Sequence, residues 1–155
     1  MSVLVAYFSV GGNTRKVAEA TTKALSADLF EIKPVKPYTA ADINWVNPFA
    51  RCNREKLRRK DVPIRGEVKN FDSYDTVFIG FPIWFGTAPG IVNTFCKAYN
   101  WKDKKVYIFA TSGGSGMGKT TEKLAPYLIG ADIVGEMLVS SYDVLEKWIS
   151  SQILK

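Results

Sequence analysis

Apolar and polar positions follow two alternating regimes along the chain. Four short apolar runs, at residues 3–8, 76–81, 106–110 and 133–139, are bounded by turn-forming residues, and their β-branched and aromatic content predicts buried strands. A fifth run, 29–33, is shorter and carries Glu31, as an edge strand tolerates. Between the runs the spacing becomes helical. Residues 14–25 gather Val17, Ala18, Thr21, Ala24 and Leu25 on one face. A second segment opens with Thr87 and Pro89 as cap and first-turn pair, and aligns Ile91, Val92, Phe95, Cys96 and Tyr99. A third covers 119–128 with a kink expected at Pro126. The last opens near Ser140 and Asp143, at capping-box spacing, and turns Leu145, Trp148, Ile149 and Ile153 inward. Strands alternating with helices of this length predict parallel crossovers and a sheet covered on both faces.

One stretch interrupts this rhythm. Residues 34–73, between the second and third strands, hold prolines, aromatic-bearing turns and a basic cluster; loops of such length are commonly functional or carry a helix of their own. A short helix is expected over 49–59, with the rest irregular.

At 155 residues and 46% hydrophobic content the chain can bury a continuous core, and one domain spanning 1–155 is expected, with the insert inside it. The formal net charge is +6, but much of it lies in Arg51, Arg54, Lys56, Arg58, Arg59, Lys60, Arg65 and Lys69. A local cluster is no general nucleic-acid surface, so no nucleic-acid partner is expected. Histidine is absent and the two cysteines, Cys52 and Cys96, lack metal-ligand spacing, which argues against a zinc site, a Ser-His-Asp or Cys-His pair and a histidine proton shuttle. Each cysteine reads as a small buried apolar residue. No basic leader or small-residue cleavage site precedes the first run, which is also too short to cross a bilayer; a cytoplasmic protein without membrane partners is expected.

Ligands of open parallel sheets bind beyond the carboxyl ends of the strands, and the informative residues stand there. After the first strand comes Ser9-Val10-Gly11-Gly12-Asn13-Thr14, running into a helix. Glycines let several N–H groups converge, hydroxyls add donors, and the helix N-terminus contributes partial positive charge, so this loop reads as a phosphate cradle. A plain strand-to-helix turn would need one glycine and no hydroxyl pair. After the third strand, Pro82-Ile83-Trp84-Phe85-Gly86 carries two large aromatics, suited to covering a flat apolar ring system, with core packing as the alternative. Gly80 and Gly86 would let the backbone approach such a ring. After the fourth, Thr111-Ser112-Gly113-Gly114 offers amides to the polar edge of a heterocycle.

A competing motif overlaps the last loop. Residues 113–120 match G-x-x-x-x-G-K-[ST], the triphosphate-binding loop, after a predicted strand. Such a site also needs an acidic residue ending another strand to hold magnesium, and the first and third strands end in Phe8-Ser9 and Phe81-Pro82. The match is set aside, and Lys119 reads as an exposed first-turn residue.

Taken in order, these three loops resemble those of the flavodoxin family over essentially the whole chain. The resemblance implies a flavodoxin-like, doubly wound α/β fold with a five-stranded parallel sheet in the order 2-1-3-4-5, and one FMN at the switch point. It implies that Ser9, Val10, Gly11, Gly12, Asn13 and Thr14 hold the phosphate, that Pro82, Ile83, Trp84, Phe85 and Gly86 line the flavin, and that Thr111, Ser112, Gly113 and Gly114 meet its other edge. No side chain is assigned a catalytic role, since the flavin supplies the redox centre. A monomeric electron carrier between redox proteins is the expected function; a small FMN-dependent reductase of quinones or nitroaromatics, using NAD(P)H, is the alternative. One departure stands out: carriers of this family are typically acidic, whereas this chain has a pI near 9.3. The insert could partly cover the flavin, with Tyr38, Trp45 or Phe49 over the ring.

Overall fold

The computed structural model describes residues 2–58, 62–112 and 116–152. Its main sheet has five parallel strands: β1 (Val3–Tyr7), β2 (Asp28–Glu31), β5 (Thr76–Pro82), β6 (Lys105–Thr111) and β7 (Asp132–Leu138), in the order β2-β1-β5-β6-β7. This is the expected 2-1-3-4-5 winding with its switch point between β1 and β5. A separate ribbon pairs β3 (Lys33–Pro34) with β4 (Ile64–Arg65) antiparallel.

The two faces of the sheet are covered by different helices because successive strand residues point opposite ways. On one face, α1 (Asn13–Leu25) and α5 (Tyr142–Gln152) bring Val17, Ala18, Leu145, Trp148 and Ile149 onto Val3, Val5, Phe78 and Phe109. On the other, α3 (Gly90–Lys97) and α4 (Thr120–Leu124) bring Ile91, Val92, Phe95 and Leu124 onto Leu4, Ala6, Ile79, Phe81 and Ile108. All five residues of β1 are buried, as the central position requires. Cys96 and Cys52 are buried, as expected of small apolar side chains.

Several expected elements differ. The 29–33 run ends as a main-sheet strand at Glu31, where Ile32 turns inward, and Lys33 pairs instead with Arg65. The 133–139 run forms β7, but it is an edge strand whose residues alternate in exposure, with Val134 38% exposed; its apolar content alone could not separate an edge from a centre. The second helix starts at Gly90 behind Pro89, and no side chain caps it; Thr87 is held in a turn by Trp84, and Tyr99 lies past the helix end, stacked on Phe71. The third helix is only α4, followed by a 3-10 turn over Ala125–Tyr127, because Pro126 ends the α-type hydrogen bonding instead of kinking it. The last helix is capped by Ser141, whose Oγ accepts from the Val144 amide at 3.3 Å, and not by Ser140; Ile153 lies outside the described residues. In the insert, the helix expected over 49–59 is α2 (Arg51–Arg58), and Arg59 and Lys60 fall outside the described residues. The remainder is not wholly irregular, since it contains the β3–β4 ribbon and two 3-10 turns, Ala41–Ile43 and Phe71–Ser73. Among the described residues no helix is long and apolar enough to cross a membrane.

Candidate functional site

Beyond the carboxyl ends of β1, β5 and β6 lies a cavity of about 750 Å³. Its walls include Ser9, Val10, Gly11, Asn13 and Thr14 from the first loop, Pro82, Ile83, Trp84, Phe85 and Gly86 from the second, and Thr111 and Ser112 from the third. Gly12 does not line it but shapes it: its φ of 90° is left-handed, and it caps α1 by passing its carbonyl to the Lys16 amide at 3.1 Å. Gly113 and Gly114 lie outside the described residues.

The first loop is held by short polar contacts. The Gly12 amide donates to Ser9 Oγ at 3.1 Å, and the Thr14 and Thr111 hydroxyls share a hydrogen bond of 2.7 Å that ties the first loop to the third. A Cβ built at Gly11 would meet no protein atom within 4 Å, so the space before the loop is open. First-turn amides of a helix have no carbonyl of their own helix to donate to, and here they begin at the cavity edge. Arg15 turns away to pair with Glu19 at 3.0 Å. None of the described lining residues is charged.

The second loop is a tight turn. Trp84 and Thr87 exchange both backbone hydrogen bonds, at 2.9 and 3.1 Å, around Phe85 and Gly86, whose φ values of 54° and 74° are both left-handed. This is the two-residue hairpin geometry that glycine and asparagine favour; the bulky Phe85 occupies its first position at a cost of about 1–2 kcal/mol. Strain of that kind concentrates where a side chain must be displayed. Trp84 is braced from behind by Phe8 and Tyr38, each meeting it edge-on with centroids 5.5 and 5.4 Å away. Gly80 has a different role from the one expected: a Cβ there would lie 2.0 Å from the Phe109 ring, so its missing side chain makes room for the core.

The insert supplies a fourth wall, with Ile43, Trp45 and Cys52. Of the three side chains expected over the ring, Trp45 reaches the cavity, Tyr38 lies behind Trp84, and Phe49 is 81% exposed outside it. Ile43 and Cys52 were not foreseen, because their role depends on how a forty-residue loop folds back. The Cys52 thiol is pushed up from its ordinary pKa by burial and presents a neutral group. Arg51 is occupied elsewhere: its Nε pairs with Glu55 at 2.7 Å and its guanidinium lies 3.8 Å above the Tyr38 ring.

The triphosphate-loop match finds no support in these positions. Its threonine, Thr120, is fully buried with Oγ1 3.4 Å from the Gly86 carbonyl, and the helix it opens has five residues.

A neutral cradle of hydroxyls and helix-start amides, joined to an aromatic shelf, suits a phosphate monoester attached to a flat ring. The flavodoxin family model matches residues 2–152. The chain belongs to the flavodoxin family. Among solved structures, a candidate flavoprotein from Bacteroides eggerthii DSM 20697 is 37% identical, with 99% of each chain covered and a TM-score of 0.86. Another from Bacteroides uniformis ATCC 8492 is 34% identical over 96% of this chain and 97% of its own, with a TM-score of 0.90. A flavoprotein from Lactobacillus acidophilus NCFM, solved in complex with FMN, shares the flavodoxin fold at 21% identity, covering 95% and 97% with a TM-score of 0.71. No curated protein matches the chain.

Proposed function

We propose that this flavodoxin-family chain binds one FMN non-covalently and carries electrons between redox proteins. The observation that carries the reading is the uncharged cradle next to a braced tryptophan at the switch point of the sheet. Ser9, Asn13, Thr14 and the first-turn amides of α1 hold the phosphate. Trp84 and Phe85 offer the ring a flat apolar support from the β5 side, and Trp45 approaches from the insert. Thr111 and Ser112 present polar atoms to its edge. When bound, the flavin supplies reversible electron uptake; the protein tunes it by what surrounds it. Since none of the described lining residues is charged, nothing among them favours extra negative charge on the ring, and the walls disfavour a strongly reduced state.

The alternative, a small NAD(P)H-dependent reductase, draws on the apolar wall of Ile43, Trp45 and Cys52, which could face a second flat molecule. Two measurements test the reading. Titration of the purified protein with FMN is expected to give one bound flavin, with Thr14→Val weakening it about tenfold, or ~1.4 kcal/mol, by removing a donor and the tie to Thr111. Stopped-flow mixing of the loaded protein with NADH or NADPH is expected to give only slow reduction. Rapid reduction would favour the reductase, and failure to take up FMN would end both readings.

A further inference from the structure

Trp84 lines the cavity from a turn that fixes its backbone but not its ring. A half-buried indole on a two-residue hairpin keeps its side-chain torsions free unless neighbours hold them. Two rings do so from behind. Phe8 is 2% exposed and its amide donates to the Gly80 carbonyl at 2.9 Å, so the sheet itself holds it. Tyr38 comes from the insert. Its ring meets Trp84 at 5.4 Å and 74° and Phe8 at 5.5 Å and 67°, yet it does not line the cavity.

Tyr38 is held more closely than burial alone requires. Its hydroxyl donates to Glu55 Oε1 at 2.8 Å, and the Arg51 guanidinium covers one face of its ring at 3.8 Å. Arg51 is fixed in turn: its Nε pairs with Glu55 at 2.7 Å, and its Nη1 donates to the carbonyls of Lys36 and Pro37 at 2.6 and 3.3 Å. Those carbonyls belong to the two residues before Tyr38. An apolar side chain would fill the same space with none of these bonds. What they add is a fixed ring plane, since hydroxyl, ring face and adjoining backbone are tied at once, and an edge contact between aromatic rings depends on that plane.

We propose that Tyr38 is a positioning residue for the cofactor: clamped by Arg51 and Glu55, it sets the angle of Trp84 and so prepares the aromatic shelf before FMN arrives. The proposal rests on the FMN-binding reading and deepens it, because it makes the insert part of the working site through a residue outside the cavity. Holding an aromatic in its binding orientation in advance raises affinity, since that ordering no longer has to accompany binding. It also fixes how the indole overlaps the flavin, and quenching of flavin emission depends on that overlap. A tyrosine that only filled the insert would affect the fold and leave the emission of bound flavin as it was.

The test is a double-variant cycle on the full chain. The parent, Tyr38→Leu, Trp84→Ala and the double variant are each titrated with FMN and read for affinity and for the emission of the bound flavin. Tyr38→Leu is expected to weaken FMN about tenfold and to raise the emission toward that of Trp84→Ala. With Trp84 already removed, Tyr38→Leu is expected to change neither. Unchanged emission of the bound flavin in Tyr38→Leu overturns the proposal, whether or not affinity falls, and so do losses that add in the double variant. Should Tyr38→Leu fail to fold, Tyr38→Phe takes its place in the cycle. It keeps the ring and loses only the bond to Glu55, so a loss of about threefold is expected, and additive losses are again decisive. A parent that takes up no FMN overturns the cofactor reading and this proposal together, whereas a parent that binds, with additive losses, overturns this proposal alone.

Discussion

Gly80 stands between Tyr7 on β1 and Phe109 on β6, in register with both. A methyl group at this position would meet three atoms of the Phe109 ring between 2.0 and 2.8 Å, and that ring is completely buried. The ring cannot swing into solvent, so Gly80→Ala is expected to destabilise the protein by about 3 kcal/mol, the upper end for overpacking. Because the three nearest atoms all belong to one ring, adding Phe109→Leu should recover more than half of the loss. Urea unfolding of the two single variants and the double variant measures the coupling, and additive losses would refute this account. Sequence reasoning placed Gly80 near a ligand because glycine before an aromatic loop permits both close approach to a ring and room for a neighbour. Only the register of β5 against β6 separates the two. The twelve described lining residues expected from the three loops were legible for the opposite reason: each follows directly from the end of a buried strand, so its position depends on local chain direction alone.

At the level of elements, the insert shows where local signals stop. The helical spacing of α2 was readable to within two residues at its start, but its attachment was not. Tyr38 donates to Glu55 at 2.8 Å and its ring carries the Arg51 guanidinium, while Arg51 also donates to the carbonyl of Lys36. These partners are 13 to 17 residues apart, with no periodic spacing to connect them. Together they clamp α2 onto the segment bearing Tyr38, whose ring supports Trp84. The side chains of Arg51 and Glu55 are only 12% and 22% exposed, so losing one leaves the other without its partner in a partly dry place. Glu55→Ala is therefore expected to open the insert locally without unfolding the sheet, speeding tryptic cleavage after Arg51 or Arg54 about tenfold, or ~1.4 kcal/mol of local opening. Limited proteolysis followed by mass spectrometry checks this. The same logic explains why β7 was read as a buried strand: its composition is apolar, but its place at the sheet edge is a property of topology.

Across the whole molecule, three of the described tyrosines fasten distant parts of the chain to carboxylates. Tyr7 donates to Glu31 at 3.1 Å, Tyr38 to Glu55, and Tyr74 to Asp28 at 2.5 Å, so that β1, the insert and the approach to β5 are each tied to a remote acid. Ionising any of these phenols would place an anion against an anion. Burial, then the charge of Glu31, pushes Tyr7 up to about 12; the hydrogen bond to Asp28 does most to push Tyr74 up to about 12; burial, then the Glu55 bond, raises Tyr38 as well. An unfolded tyrosine loses its proton near pH ~10. The folded state thus retains protons that the unfolded state has released, and folding stability falls as pH rises wherever that difference exists. Below pH ~10 the contribution of these ties is complete; between pH ~10 and ~12 it is progressively lost. The urea midpoint is expected to stay level from neutral pH to about 9 and then decline steeply. Lysines also lose charge in that window, so the slope needs a control. A variant carrying Tyr7→Phe, Tyr38→Phe and Tyr74→Phe keeps every lysine, begins less stable at neutral pH, and should lose most of the decline. If its midpoint falls with pH as steeply as that of the parent, the tyrosine–carboxylate ties are not what the alkaline transition breaks.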